Sequence, residues 1–360
     1  MNLISITFPS VIEGHNSSLF NVANNQLNGL KLRLDNNDYM LGNLALTEGE
    51  NPHKAINSSP EDKDYRLLIN AGLLLASRYA QSPFNVATGF PFSSYMINKK
   101  VASELISSVD NVQHDTRTYG GADLQSKTVM VNRVDVIPEL IAGTLGVRKT
   151  MDKSGNFFVI SLGYGTTEIG LSTDDGITQR TRGSSNGLRV AINWLKDQLM
   201  EQHYLGMRTE HQMDTVFQRG HMTVNRKRIN VTELRTDALR HYYQEVVSPL
   251  IRYTWQDEDF DRTDTIMLVG GGAMYPELVE LFKNEFGGFL NIEVADDPIT
   301  MASRGYCLRA ASLTPNSFNS SVGIDVGNAQ TTITVFENDK ELRKEEAKKE
   351  EAKNEATSPE

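Results

Sequence analysis

Two segments far apart in this chain repeat one pattern. Val322–Val335 reads VGIDVGNAQTTITV, an apolar strand carrying Asp325, a turn on Gly327, then a strand rich in Thr and Ile. Phe157–Gly170 reads FFVISLGYGTTEIG, with its turn on Gly163 and Gly165. A third segment, Thr265–Pro276 (TIMLVGGGAMYP), runs a buried-looking strand into Gly270, Gly271 and Gly272. Turn glycines lack a Cβ, so their backbone N–H groups can come close to phosphate oxygens. Asn328 and Gln330 in the first turn, and Tyr164 in the second, share that position. Thr331–Thr332 and Thr166–Thr167 add hydroxyl donors. Asp325 at a strand end suits Mg²⁺ held through water, because Mg²⁺ dehydrates reluctantly. The glycine triplet lets the chain pass close to a flat ring system before the next helix begins. Any one of these segments alone reads as an ordinary glycine turn; the three together point to phosphate and nucleoside binding.

The surrounding elements must place these turns. Leu3–Phe8 alternates as a strand, and Leu30–Leu46 reads as two short strands around a turn at Asn36–Asp38. Glu48–Asp64 is a polar surface insertion ahead of a helix over Tyr65–Tyr79. Phe84–Gly89 is a buried strand, Asn98–Ile106 a helix and Lys127–Val136 a strand. A second domain begins near Thr150. Leu188–His203 is an amphipathic helix, with Val190, Ile192, Leu195 and Leu199 on one stripe. Thr232–Trp255 reads as a long helix bent near Pro249, and Pro276–Phe286 as a helix opened by proline. Ile299–Ala311 leads back to the first domain.

These motifs resemble those of the actin-like ATPases in the actin, sugar-kinase and heat-shock-chaperone superfamily, and most closely the ParM/StbA-like group of plasmid-segregating actins. VGIDVGNAQTT is similar to that family's first phosphate motif, FFVISLGYGTT to the second and TIMLVGGGAMYP to the adenosine motif. VDVIPELIAGTL (Val134–Leu145) is similar to the connecting segment, and GSSNGLRVAINWL (Gly183–Leu195) to the next helix entry. The resemblance implies an α/β, two-domain actin-like fold built on a duplicated mixed sheet flanked by helices. It also implies ATP (or GTP) with Mg²⁺ in the cleft. Asp325 would position the metal, and Gly327, Asn328, Gln330, Thr331, Thr332, Gly163, Tyr164, Gly165 and Thr166 would hold phosphates. Gly270, Gly271 and Gly272 would back the nucleoside, and Glu139 would activate the lytic water. It further implies self-assembly into filaments and a DNA-binding adaptor protein as partner.

Two departures from the family pattern stand out. The first phosphate hairpin closes the chain instead of opening it. LISITFPSVIEG at the start looks like the third strand of the first sheet, so the order looks circularly permuted. The cut is physically cheap, because neighbouring antiparallel strands can stay paired after their hairpin loop is opened. Leu313–Ser320 would be the joining linker. The expected domains are 1–150, the first part of the first domain; 151–295, the second domain; 296–338, the return helix and permuted hairpin; and 339–360, a charged tail that is disordered or a solvated helix. The second departure is Ser161, which stands where the second phosphate motif normally has Asp. A neutral hydroxyl cannot replace that charge, so slow hydrolysis is expected.

The 360 residues are 39% hydrophobic, enough for two domains and a large core. Net charge is −10, which argues against direct phosphate-driven binding to nucleic acid. A single cysteine, Cys307, excludes an intrachain disulfide and any multi-Cys metal site and reads as a buried structural thiol. No run suits a membrane span, and the first residues lack the pattern of a signal peptide, so a cytoplasmic protein is expected. His203, His211, His221 and His241 lack ligand-like spacing, and Asn225–Arg228 is a short basic turn. Arg182 and Arg189 flank the GSS turn and could approach the nucleotide or pair at the surface. Two rivals to a filament-forming ATPase remain. A monomeric metabolite kinase would need a further catalytic Asp, and a nucleotide-gated scaffold would barely hydrolyse. Polymer formation with ATP separates the first rival, and phosphate release the second.

Overall fold

The computed structural model describes residues 2–56, 59–202 and 209–337. His203 and the charged tail expected over 339–360 lie outside them. Two five-stranded paths form the framework. The first runs Leu3–Pro9, Gln330–Phe336, Ser321–Val326, Phe84–Phe90, Val131–Pro138. The second runs Gly176–Ile177, Thr166–Thr173, Phe157–Leu162, Thr265–Val269, Asn291–Val294. In each, the first three strands are antiparallel and the last two join in parallel. The central strands are largely buried and rich in Val, Ile, Leu and Phe, as strands covered by helices on both faces tend to be. Phe157–Leu162 and Thr265–Val269 are fully buried. The expected pairing of the chain's two ends is present, with Leu3 opposite Phe336 and Phe8 opposite Thr331.

Each sheet anchors its own core. Leu67, Leu68, Leu74 and Leu75 of the Lys63–Ala76 helix pack with Val86, Val322, Ile324 and Ile333. Ile192, Leu195 and Leu199 of the Arg189–Gln202 helix pack with Phe158, Ile160, Ile266 and Leu268. Two helices, Glu139–Thr150 and Met301–Ala311, lie against one another between the sheets. Their contact is backbone to backbone. A Cβ at Gly305 would lie 1.8 Å from the Ala142 carbonyl oxygen, and one at Gly146 would lie 2.2 Å from that of Met301. Only glycine permits this crossing.

A third, six-stranded sheet sits beyond the first, in the order His53–Lys54, Val11–Gly14, Asn37–Leu41, Lys31–Leu34, Asn111–Asp115, Leu124–Thr128. Three sequence expectations need correction here. Gly42–Glu48 is helical rather than strand; Gly42 turns the chain with φ +59°, a conformation glycine adopts without strain. The polar Glu48–Asp64 segment is not only a surface insertion, because His53–Lys54 pairs with Val11–Ile12. Lys127–Val136 is two strands, Leu124–Thr128 and Val131–Pro138, in different sheets. The long second-domain helix runs as Thr232–Tyr242, a π-helical turn Tyr243–Val247, then Ser248–Thr254. Pro249 cannot donate to the carbonyl a turn earlier, and the wider turn just before it absorbs the misfit. No helix among the described residues is long and apolar enough to cross a membrane.

Candidate functional site

The two hairpin turns and the glycine triplet meet at one cavity of about 690 Å³ between the sheets. Its walls include Glu139, Asp325, Gly327, Asn328, Gln330, Thr332, Gly163, Tyr164, Gly165, Thr166, Gly270, Gly271 and Gly272. Of the residues expected to hold phosphate or nucleoside, Thr331, Thr167 and Ser161 stay off the wall. Thr331 is fully buried, and its hydroxyl meets that of Ser10 at 2.9 Å. Ser161 is buried one residue back from the second turn.

Each turn is braced from outside the cavity. Ser10 Oγ donates to the Gly327 carbonyl at 2.6 Å, and Ser10 N–H donates to the Ala329 carbonyl. The second turn is held by the entry to the Arg189–Gln202 helix. Gly187, Leu188 and Arg189 N–H donate to the Gly165, Gly163 and Tyr164 carbonyls. Gly270 takes φ +84°, and a Cβ there would press within 3.0 Å of the Leu162 backbone. The triplet therefore crosses directly beneath the second hairpin. Farther along the wall lie Asp214, Gln218, Arg235, Tyr275 and Glu277. Arg235 Nη2 holds Glu277 Oε1 at 2.6 Å.

Glu139 opens its helix beside Asp325, and both are part-exposed to the cavity. A third carboxylate was not singled out in the sequence. Glu168 stands directly opposite Ser161 in the second hairpin. It is 1% exposed and comes close enough to Glu139 to feel its charge. Oε1 of Glu168 accepts from the Phe92 N–H at 2.6 Å, whereas Oε2 has no protein partner. Phe92 opens the Phe92–Ser107 helix of the first domain, so Glu168 ties the two domains together through a helix N-terminus. Burial raises the pKa of Glu139, Glu168 and Asp325 above the usual carboxylate range, and Glu139 adds to the rise for the other two. The Tyr306 hydroxyl, buried without a partner, feels all three. The signal for Glu168 in the sequence was its place in the hairpin register, seven residues after Ser161.

Nucleotide and Mg²⁺ fit this arrangement. The desolvated carboxyl groups of Glu139 and Asp325 both line the cavity, where a divalent cation would offset their charge. Among the described residues no cluster of His, Cys, Asp or Glu is placed to hold a metal ion directly.

The other candidates resolve to structural roles. Cys307 is buried against the Ser321 carbonyl. Arg182 donates to the Ile177 carbonyl and covers the Phe92 ring, and Arg189 pairs with Glu210, so neither lines the cavity. His211 meets the Thr215 hydroxyl, His221 meets Arg228 and His241 stacks on Trp194.

Known proteins agree with this geometry. Residues 2–140 match the sequence model for the N-terminal domain of actin-like proteins. A 15-stranded ParM filament from Clostridium botulinum superposes with TM-score 0.67 at 15% identity, covering 85% of this chain and 93% of that one. A non-polymerisable quadruple mutant of pCBH ParM superposes with TM-score 0.66 at 16% identity over the same shares. The archaeal actin homologue Ta0583 in complex with ADP gives TM-score 0.65 at 17% identity, covering 86% and 93%. No curated protein matches the chain in sequence. The chain has the two-domain actin-like fold, and its first 140 residues carry the sequence pattern of the N-terminal domain of actin-like proteins.

Proposed function

We propose that this protein binds ATP with Mg²⁺ in the cleft and assembles into filaments whose lifetime is set by hydrolysis. One observation carries the reading: two hairpin turns and a glycine triplet, drawn from three distant parts of the chain, line one cavity with Glu139 and Asp325. Mg²⁺ would offset the charge developing on the phosphates. Asp325 would hold its water shell, and the turns around Gly327 and Gly163 would hold phosphate oxygens. Glu139, whose carboxyl is raised toward neutrality by burial, suits a general base for the attacking water. Glu168 supplies the second carboxylate that Ser161 lacks. Light scattering should rise on adding ATP and Mg²⁺ and fall as phosphate is released. Equilibrium dialysis finding no bound nucleotide would sink the reading.

Filament formation is described for the ParM filament this chain resembles. By extension this protein would serve plasmid or DNA partition in the cytoplasm, reaching DNA through a basic adaptor, since its own net charge is −10. The topology also supports circular permutation. Counted along the chain, the second sheet reads third, second, first, fourth, fifth strand across its width. The first sheet gives the same order only if counting begins at Ser321. The domain limits would be those expected from sequence, 1–150 and 296–338 for the first domain and 151–295 for the second.

A further inference from the structure

At the cleft, one bond joins the small outer sheet of the first domain to the second domain. Lys54 Nζ donates to Asp214 Oδ2. The side chains are 1% and 7% exposed, so this is a buried ion pair between elements 160 residues apart. The Lys54 ammonium also lies 3.8 Å from the Tyr164 ring centroid, a cation–π distance. Ala55, Asp214 and Tyr164 all line the cavity.

The bond is wired to both turns. On the first-domain side, Ala55 N–H donates to the Ser10 carbonyl at 2.9 Å, and Ser10 Oγ holds the Gly327 carbonyl at 2.6 Å. On the second-domain side, Tyr164 belongs to the second turn. Its hydroxyl donates to Glu210 Oε1 at 2.9 Å, on the same Glu210–Arg219 helix as Asp214. Arg189 neutralises Glu210 at 2.5 Å. Burial opposes the charge of Lys54 while Asp214 favours it. A buried pair costs much of its attraction in desolvation, and such pairs serve best where a contact must be specific and breakable.

We infer that Lys54 and Asp214 form a clasp that closes the cleft over bound nucleotide and sets the rate of its exchange. The inference rests on the nucleotide reading above. With the pair made, the lobes meet beside the cavity and the nucleotide is retained; with it broken, the outer sheet swings away. Shifts of either turn with phosphate occupancy reach the clasp through Ser10 or Tyr164.

The test is release of a fluorescent ADP analogue, chased with excess ADP, from Lys54→Met, Asp214→Asn and the double variant. Losing one charge-assisted bond should speed release by about tenfold to a hundredfold. The two single variants should agree, and the double variant should be no faster than either. Reversing the pair, Lys54→Asp with Asp214→Lys, should restore slow release. Small-angle scattering of the nucleotide-free variants should show a larger radius of gyration than the parent. That measurement stands apart from nucleotide: if no variant binds nucleotide yet the radius grows, the clasp holds and the nucleotide reading falls. Unchanged release and radius overturn the clasp. So does a change in Lys54→Met that Asp214→Asn does not share, which would make Lys54 a direct phosphate ligand.

Discussion

The two glycine-turn hairpins at the cleft are built to one plan and carry their carboxylates on opposite strands. In the first, Asp325 on the outgoing strand faces Thr332 on the return strand, and Val326 faces Thr331. In the second, Ser161 on the outgoing strand faces Glu168 on the return strand, and Leu162 faces Thr167. Each hairpin therefore carries one carboxylate and one hydroxyl as a cross-strand pair just before its glycine turn, with the partners exchanged. Cross-strand neighbours lie only about 5 Å apart, so the exchange moves a charge by one strand spacing and leaves Glu168 buried off the cavity wall. The sequence pattern at Ser161 suggests a missing carboxylate. The register places a carboxylate, that of Glu168, on the strand directly opposite it.

The comparison can be broken most severely at the first hairpin. Asp325→Ala removes the carboxylate assigned to the metal's water shell and should abolish ATP-dependent assembly, read by light scattering and pelleting. Assembly at the parental level would remove Asp325 from that role. Next in size, Glu139→Ala should slow phosphate release by about 10²–10⁴-fold, the range for a well-placed base, while assembly persists. Release at the parental rate would place the base elsewhere.

A smaller effect sharpens the comparison itself. Glu168→Thr should slow phosphate release, and Ser161→Asp alone should lower stability by placing two carboxylates face to face. The double change, Ser161→Asp with Glu168→Thr, makes the second hairpin a copy of the first. It should return phosphate release to within about tenfold of the parent. A double variant no better than Glu168→Thr would mean that Glu168 acts through its bond to Phe92 and not through its place in the pair.

Much of the site was legible because its signals are local. A strand, a glycine turn and a Thr-rich return strand lie within fourteen residues in each hairpin, and Glu139 follows Pro138 at a helix start. The fold class followed from the same motifs, and the end-to-end strand pairing from their unusual order. What stayed hidden depends on register and on distant contacts. Glu168 looks like any strand Glu until Ser161 is placed opposite it. Ser10 braces Gly327 across 317 residues. Lys54 sits in a polar segment that reads as a surface loop, and a two-residue strand gives no periodicity to detect. Gly146 and Gly305 read as weak points in helices until the two backbones are brought together. The helix at Gly42–Glu48 was lost because Leu44, Ala45 and Leu46 continue the apolar run of the preceding strand.

The smallest expected effect is on stability, and its sign follows from the desolvated carboxylates. Glu139 and Glu168 have folded-state pKa values raised above those of an unfolded chain, chiefly by burial, and Glu168 is raised further by the charge of Glu139. The folded protein therefore binds protons more tightly than the unfolded one. Their contribution is fully present below the ordinary carboxylate pKa, near 4.5. It is lost as pH rises through the folded values, about 7 for Glu139 and about 8 for Glu168. The nucleotide-free protein should melt lower at pH 8 than at pH 5.5, by on the order of 5 °C for a chain of this size. Glu168→Gln removes one of the two charges and keeps the bond from Phe92, so it should flatten the profile and raise the melting temperature most at pH 8. ATP with Mg²⁺ should flatten it too, because the cation offsets the same charge. Asp325 is raised by the same two causes, burial and the charge of Glu139, so Asp325→Asn should flatten the slope as Glu168→Gln does. Differential scanning fluorimetry across pH 5.5–8 decides it: a parental slope in Glu168→Gln would show that this buried carboxylate stays neutral throughout and contributes no charge to the second hairpin.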